Sequence, residues 1–417
     1  MSATSAPSRR RRGRERNPDR EPLPRSAWTR LAACTAAAAL LQLDGTVITV
    51  ALPNVSRSLH VSSSSTAVIL SAYFLAYALL LFPGGHLVDK LGARRVALIG
   101  LMIFAVGAAA GALVDNLPLL VFTRVIQGIG AGLVSPAALA GAVSGFPPER
   151  RGTALGIWGA SAGMANLVGP LLGGVLTVVF GWRAAWWALV PLALVAAYAV
   201  VRLVPSIVHD NPEGGRDKVL NATVVAAAFV AALTFAVMIG TFYLAEQYLQ
   251  RTVGYSALGA SAVLVVVAFL VGAGAPFAGR LVDARGEAIP AVLGFLLAGI
   301  GLAILAIPGV SLHGLATGLA LVPVGLGLGM LFVPVSRSAL NVTPLRSHGR
   351  ASAILSFARL FGAGIGAGLA GLAVSAGPSA STVHTALAVA AGVCLLAGLP
   401  ISTRLGHGTG LPAPRRA

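Results

Sequence analysis

The sequence predicts an all-α integral membrane protein with twelve spanning helices, arranged as two pseudo-symmetric bundles of six. Three observations predict this fold class. Hydrophobic residues make up 56% of the 417-residue chain and charged residues 10%, with a mean hydropathy of +0.85, whereas a soluble domain carries about 25% charged residues. Apolar runs of about 20 residues, the length that crosses a bilayer, recur along the whole chain. One short polar segment also occurs twice, once in each half.

The runs expected to span are Leu31–Leu52, Thr66–Pro83, Val96–Val114, Leu117–Val143, Thr153–Val179 and Ala184–Val201 in the first half. Those of the second half are Val219–Leu244, Ala257–Phe277, Ile289–Ile307, Leu315–Val335, Ala351–Val374 and Val383–Leu399. The long polar gap Pro205–Lys218, with His209, Asp210, Asn211, Pro212 and Glu213, separates the two sets. The expected organisation is a basic tail over residues 1–28, a bundle over 29–203, a central loop over 204–218, a second bundle over 219–402 and a tail over 403–417. The abundance of glycine, 51 residues, suits helices that pack backbone to backbone in lipid.

Charge placement sets the orientation. The net charge is +17, and nine of the 30 basic residues fall in the first thirty positions, including Arg9 to Arg12. Most of the others alternate between arginine-rich gaps (Lys90, Arg94, Arg95; Arg150, Arg151; Arg216, Lys218; Arg280, Arg285; Arg337, Arg346, Arg350; Arg404, Arg415, Arg416) and gaps holding only Arg57, Arg183 and Arg251. Basic residues concentrate in cytoplasmic loops, so both termini are expected in the cytoplasm of a multi-pass plasma or inner membrane protein. No nucleic-acid motif accompanies the basic tail, and nucleic acid is not an expected partner. The apolar stretch after the N-terminal arginines is long enough to span and carries Asp44, which argues for an uncleaved first helix over a signal peptide. Cys34 and Cys394 each lie in an apolar run and imply neither disulfide nor metal.

Several polar groups sit where lipid makes them costly. Asp44 lies about 20 Å along the first helix from Arg30, at about 1.5 Å per residue. A carboxylate at that depth faces a watery cavity or a partner, or else bridges two helices as a structural hydrogen bond. In the fourth run Arg124 and Gln127 share a helix face. The arginine either meets an acid or substrate there, or snorkels to the outer interface. The fifth run reads Gly156, Gly159, Gly163, then Gly169-Pro170-Leu171-Leu172-Gly173-Gly174, with small residues four apart for close packing and a proline that bends the helix. In the second half Glu246 lies near the outer end of helix 7, as a second proton site or a hydrated interfacial carboxylate. Gln42, Asn166 and Gln247 are further candidates for a polar cavity lining.

The repeated segment is Gly85-His86-Leu87-Val88-Asp89 closing at Gly92, echoed by Gly279-Arg280-Leu281-Val282-Asp283 closing at Gly286. Its glycines permit a tight turn, and its aspartate offers an acceptor to a helix N-terminus or a basic side chain. Only the first copy continues into a basic pair, Arg94-Arg95, so Asp89 is expected to weigh more than Asp283.

These motifs resemble those of the drug:proton antiporters of the major facilitator superfamily, from about Leu43 to the end of helix 11. Leu43-Asp44-Gly45-Thr46 with Val50-Ala51-Leu52-Pro53 is similar to the helix 1 motif of those antiporters. Gly85 to Arg95 is similar to the helix 2–3 signature, and Leu120 to Gly128 to the helix 4 motif. Gly169 to Gly174 is similar to the antiporter signature of helix 5, with Ala165 standing for one glycine. Tyr248-Leu249-Gln250 with Gly254-Tyr255-Ser256, and Arg359-Leu360-Phe361-Gly362, resemble second-half segments. The nearest resemblance is to the fourteen-helix multidrug subfamily, but the 205–218 gap is too short for its two extra helices.

The resemblance implies a proton-coupled antiporter that exports small amphiphilic drugs or antibiotics by alternating access. It implies proton coupling at Asp44 and Glu246, a cavity or proton relay at Arg124, Gln127 and Arg359, and a conformational latch at Gly85, Asp89, Gly92, Arg94, Arg95 and Asp283. Gly156, Gly169, Pro170, Gly173 and Gly174 would form the export-specific helix 5. A transporter of a sugar, amino acid or siderophore is the alternative. A lipid-modifying membrane enzyme is a weaker one, because the seven histidines are scattered. No phosphate-binding Gly-x-x-x-x-Gly-Lys loop is present, so the proton is the expected coupling ion and neither enzyme activity, cofactor nor metal is expected. The expected partners are a small molecule and the bilayer, with the protein a monomer.

Overall fold

The computed structural model describes residues 23–61, 63–206, 219–251, 253–254, 257–308, 315–375 and 379–405. The start of the expected basic tail, most of the central loop and the end of the C-terminal tail lie outside them. The described chain is helical throughout. The first half comprises α1 (Arg25–Ser58), α2 (Ser63–Leu91), α3 (Ala93–Leu113), α4 (Leu117–Val143), α5 (Arg151–Phe180) and α6 (Arg183–Leu203). The second comprises α7 (Ala222–Arg251), α8 (Ala257–Arg285), α9 (Ala288–Leu305), α10 (Leu315–Met330), α11 (Phe332–Asn341), α12 (His348–Ser375), α13 (Ala380–Gly392) and α14 (Leu399–Ser402).

Local chemistry sets several of these boundaries. Asn116 caps α4, its side-chain oxygen accepting from the Leu119 amide at 3.0 Å, with Pro118 in the first turn, where its missing N–H costs nothing. Gly92 and Gly286, which close the two copies of the repeated segment, take φ of 82° and 79° and reverse the chain from α2 to α3 and from α8 to α9. The repeat in sequence is thus a repeat in backbone conformation.

Eleven helices among the described residues are long and apolar enough to cross a bilayer. The span expected over Thr153–Val179 corresponds to α5, helical over 30 residues, whose described apolar run is the shorter Leu171–Phe180. Large apolar side chains such as Leu75, Val178, Val195, Leu369 and Leu396 are exposed on the bundle's outside. In water they would drive association; against lipid they are the proper facing.

Several expected boundaries change. α2 and α8 run on to Leu91 and Arg285, past the expected ends Pro83 and Phe277, so Gly85–Asp89 and Gly279–Asp283 are helical and the turns fall at Gly92 and Gly286. The tenth apolar run ends at Val335 and puts Arg337 in a loop. The helix instead bends between Met330 and Phe332 and continues as α11 to Asn341, carrying Ser336, Arg337 and Ser338 into the interior. It can do so because Arg337 finds acceptors for its guanidinium, described below.

Each half builds its own core. Buried residues of α1 to α6, among them Ile48, Phe104, Leu120 and Trp186, form one cluster, and Phe295, Leu302, Leu328 and Leu355 belong to a second around α7 to α13. A third joins the halves: Leu139, Val143 and Leu155 meet Ala278, Val282, Met330, Val333 and Ala351. Across the divide α5 packs on α8 and α2 on α12.

Candidate functional site: a buried charge pair and two helix-capping aspartates

Asp44 stands on α1 and Arg124 on α4, and neither side chain is exposed. Arg124 Nη1 donates to both carboxylate oxygens of Asp44, at 2.7 and 2.9 Å, and to Gln127 Oε1 at 2.9 Å. Nε donates to the Ile69 carbonyl of α2 at 3.4 Å, and the guanidinium carbon lies 4.2 Å from the centre of the Tyr73 ring. Gln127 Nε2 sits 3.5 Å from Asp44 Oδ1, and the Tyr73 hydroxyl donates to the Leu41 carbonyl at 3.4 Å. Complete burial excludes the alternative in which Arg124 snorkels to the interface. A paired guanidinium can stay at that depth because its carboxylate partner, carbonyl and aromatic face replace water. Tyr73, one turn beyond Ile69 on α2, is a component that the sequence did not flag.

The glycine-rich α5 holds α1 in place on the other side of this cluster. A Cβ at Gly169 would collide with the Thr46 hydroxyl, and one at Gly173 would come within 2.7 Å of the Val47 carbonyl. Toward its N-terminus the same helix packs on α8, where a Cβ at Gly159 would sit 2.7 Å from the Ala275 methyl and one at Gly156 would sit 3.0 Å from the Ala275 carbonyl. Gly174 faces open space, and the Pro170 side chain lies outside the described residues. Side chains of Glu246, Asn166 and Gln247 also lie outside them. Gln42 is half-buried, and its carbonyl accepts from the Thr46 hydroxyl.

The two repeated segments take similar places at one end of the bundle. Asp89 accepts from the Gly349 amide at 2.8 Å and from Arg350 Nε at 2.7 Å, at the start of α12. Asp283 accepts from the Gly152 and Thr153 amides, at 2.9 and 2.8 Å, and from the Thr153 hydroxyl at 2.6 Å, at the start of α5. Each aspartate therefore reaches across to the other half and caps a helix whose first amides lack intrahelical partners. Close backbone approach makes the reach possible, since a Cβ at Gly85 would lie 2.6 Å from the Gly349 carbonyl and one at Gly279 2.5 Å from that of Gly152. The partners are not identical, since Asp89 also pairs with Arg350 whereas Asp283 takes the Thr153 hydroxyl. Among the described hydrogen bonds Asp89 reaches Gly349 and Arg350, and neither Arg94 nor Arg95 is among its partners.

Arg337 adds a third tie. It pairs with Glu287 at 3.3 Å, both nearly buried, and donates to the carbonyls of Val282, Pro148 and Glu149 at 3.0, 3.1 and 3.3 Å. Arg151 Nη1 donates to Asn341 Oδ1 at 2.9 Å. Apart from the Ser135–Ser356 hydroxyl pair at 3.1 Å, every described hydrogen bond between the halves lies at this end. Arg359, on α12, stands apart from both groups and donates to the Ser336 hydroxyl at 2.6 Å.

Two helical bundles, each with its own core and joined by polar ties at one end, have the build of a membrane transporter. The chain belongs to the Major Facilitator Superfamily, whose family description it matches over residues 34–367. It is 27% identical over 406 residues to the multidrug resistance protein Stp of Mycobacterium tuberculosis, covering 82% of this chain and 75% of that one. It is 38% identical over 179 residues to the puromycin resistance protein pur8 of Streptomyces alboniger, which is 43% of this chain and 35% of that one, so the matched part spans about a third of that relative. Among solved structures, the proton:xylose symporter XylE superposes with a TM-score of 0.72 at 16% identity, over 90% of this chain and 96% of that one, a likeness of fold.

Proposed function

We propose that this transporter is a proton-coupled antiporter that exports small amphiphilic compounds, drugs or antibiotics among them, by alternating access. The observation that carries the reading is the Asp44–Arg124 pair, fully buried between α1 and α4. A carboxylate withdrawn from water is stable as an anion only while its partner stays. When the helices shift and Arg124 turns away, Asp44 takes a proton instead of keeping an uncompensated charge. A proton bound on one side and released on the other drives the cycle, with Gln127 and Tyr73 holding Arg124 meanwhile. The resistance functions of the similar Stp and pur8 support export of drugs, and the packing of Gly169 and Gly173 against the Asp44 helix links the antiporter-like segment to the coupling site.

In this reading the closed end is cytoplasmic, both termini lie in the cytoplasm of the plasma or inner membrane, and the protein works as a monomer without cofactor. Asp89, Asp283 and Arg337 latch the halves while the site opens outward. Flux in proteoliposomes tests the function. Tritiated puromycin, ethidium and 2-naphthoate are offered with and without an imposed proton gradient, and at least one must be concentrated only when the gradient is present. Gradient-independent equilibration of all three contradicts the proposal.

A further inference from the structure

Arg359 lies about 16 Å along α12 from His348 at about 1.5 Å per residue, well inside the bilayer. Unlike Arg124, it has no carboxylate partner among the described residues. Its Nη2 donates to Ser336 Oγ at 2.6 Å, and Ser336 in turn donates to the Phe332 carbonyl at 2.9 Å. Its guanidinium carbon lies 6.0 Å from the Phe235 ring centre and 5.9 Å from that of Phe332. Those two rings are 5.3 Å apart at their centres and inclined by 54°. Ser356, one turn earlier on α12, meets Ser135 of α4 at 3.1 Å, so this stretch of the helix looks toward the other half. Gly362 and Gly366, three and seven residues beyond Arg359, bring the same side of α12 close to the α7 carbonyls of Ala232 and Ala236, next to Phe235.

A half-buried guanidinium with one hydroxyl and two ring faces is under-compensated, because a cation inside the bilayer calls for an anion. Its planar fork presents more N–H donors than Ser336 can use. The complement is a planar oxyanion, which accepts two parallel charge-assisted hydrogen bonds. Phe235 and Phe332 offer apolar and edge contacts to an aromatic body joined to that oxyanion.

We propose that Arg359 is the recognition point for substrate, and that the preferred substrates are amphiphilic organic anions carrying a carboxylate or similar planar oxyanion on an aromatic body. This rests on the transporter reading above and narrows it to a chemical class. Asp44 and Arg124 then serve coupling, while Arg359 serves selection from the opposite half.

The test is equilibrium binding to the purified full-length protein, using tritiated 2-naphthoate and the near-isosteric 2-naphthyltrimethylammonium. The wild type should bind naphthoate about tenfold or more tightly than the cation, the scale of one charge-assisted bidentate contact. Arg359→Gln should erase that preference. Arg359→Lys, which keeps the charge and loses the fork, should weaken naphthoate several-fold and leave the cation unchanged. Equal affinity for both compounds, tighter binding of the cation, or no saturable naphthoate binding in the wild type overturns the proposal, as does an unchanged preference in either variant. Naphthoate preference without gradient-driven flux would overturn the efflux reading alone. Gradient-driven flux of ethidium with no naphthoate binding would overturn this inference alone.

Discussion

Arg124 Nη1 sits 2.7 and 2.9 Å from the two carboxylate oxygens of Asp44, in a place where neither side chain meets solvent. The pair joins α1 to α4 across 80 positions of sequence, and α2 closes it through Ile69 and Tyr73. Its energetics are those of any buried ion pair: the pair as a whole adds little stability, but removing one member leaves a charge with nothing to offset it.

Arg124→Gln is therefore expected to destabilise the protein by about 3–5 kcal/mol, while the double change with Asp44→Asn restores much of the loss. Thermal unfolding of the four members of the cycle in detergent checks this. Additive losses would show that the two side chains do not depend on each other.

The two helix-capping aspartates are expected to matter alike. Replacing a capping side chain costs about 1 kcal/mol, so Asp89→Asn and Asp283→Asn should each shift the balance of closed and open forms roughly fivefold. Thiol labelling of a cysteine placed at Ser352, buried near the start of α12, in a background with Cys34 and Cys394 replaced, reports how often that end opens. A large effect from Asp89→Asn beside none from Asp283→Asn would restore the role expected for Arg94 and Arg95.

The glycines of α5 are expected to separate by position. Gly173→Leu drives a side chain into the Val47 backbone and should cost about 1–3 kcal/mol with loss of transport, as overpacked interiors do. Gly174→Ala meets nothing within 4 Å and should change stability by less than about 0.5 kcal/mol. Melting temperatures and flux at equal expression distinguish the two. Equal damage would mean that the segment acts through helix flexibility, not contact.

The sequence made the parts of this site legible but not their assembly. Asp44, Arg124 and Gln127 stand out because polar residues in apolar runs are rare, and the repeated segment pointed to Asp89 and Asp283. What stayed hidden is long-range. The partners of Asp89 lie 260 and 261 positions away, and Arg350 reads in sequence as one more loop charge. Arg337 likewise reads as a loop charge. Its place within α11 follows from Glu287 and three carbonyls that gather around it, and no local pattern reports them. Tyr73 looked like an ordinary aromatic in an apolar run, because its contact with Arg124 depends on how α2 is turned against α4.

The central claim is that Asp44 carries the coupling proton, and gradient-driven accumulation by Asp44→Asn in proteoliposomes tests it most directly. The substrate should be whichever of puromycin, ethidium and 2-naphthoate the wild type concentrates most. The account predicts that Asp44→Asn still exchanges labelled for unlabelled substrate but fails to concentrate it when a proton gradient is imposed. Accumulation by Asp44→Asn equal to that of the wild type would contradict it and move the coupling site to another acid, with Glu246 next in line.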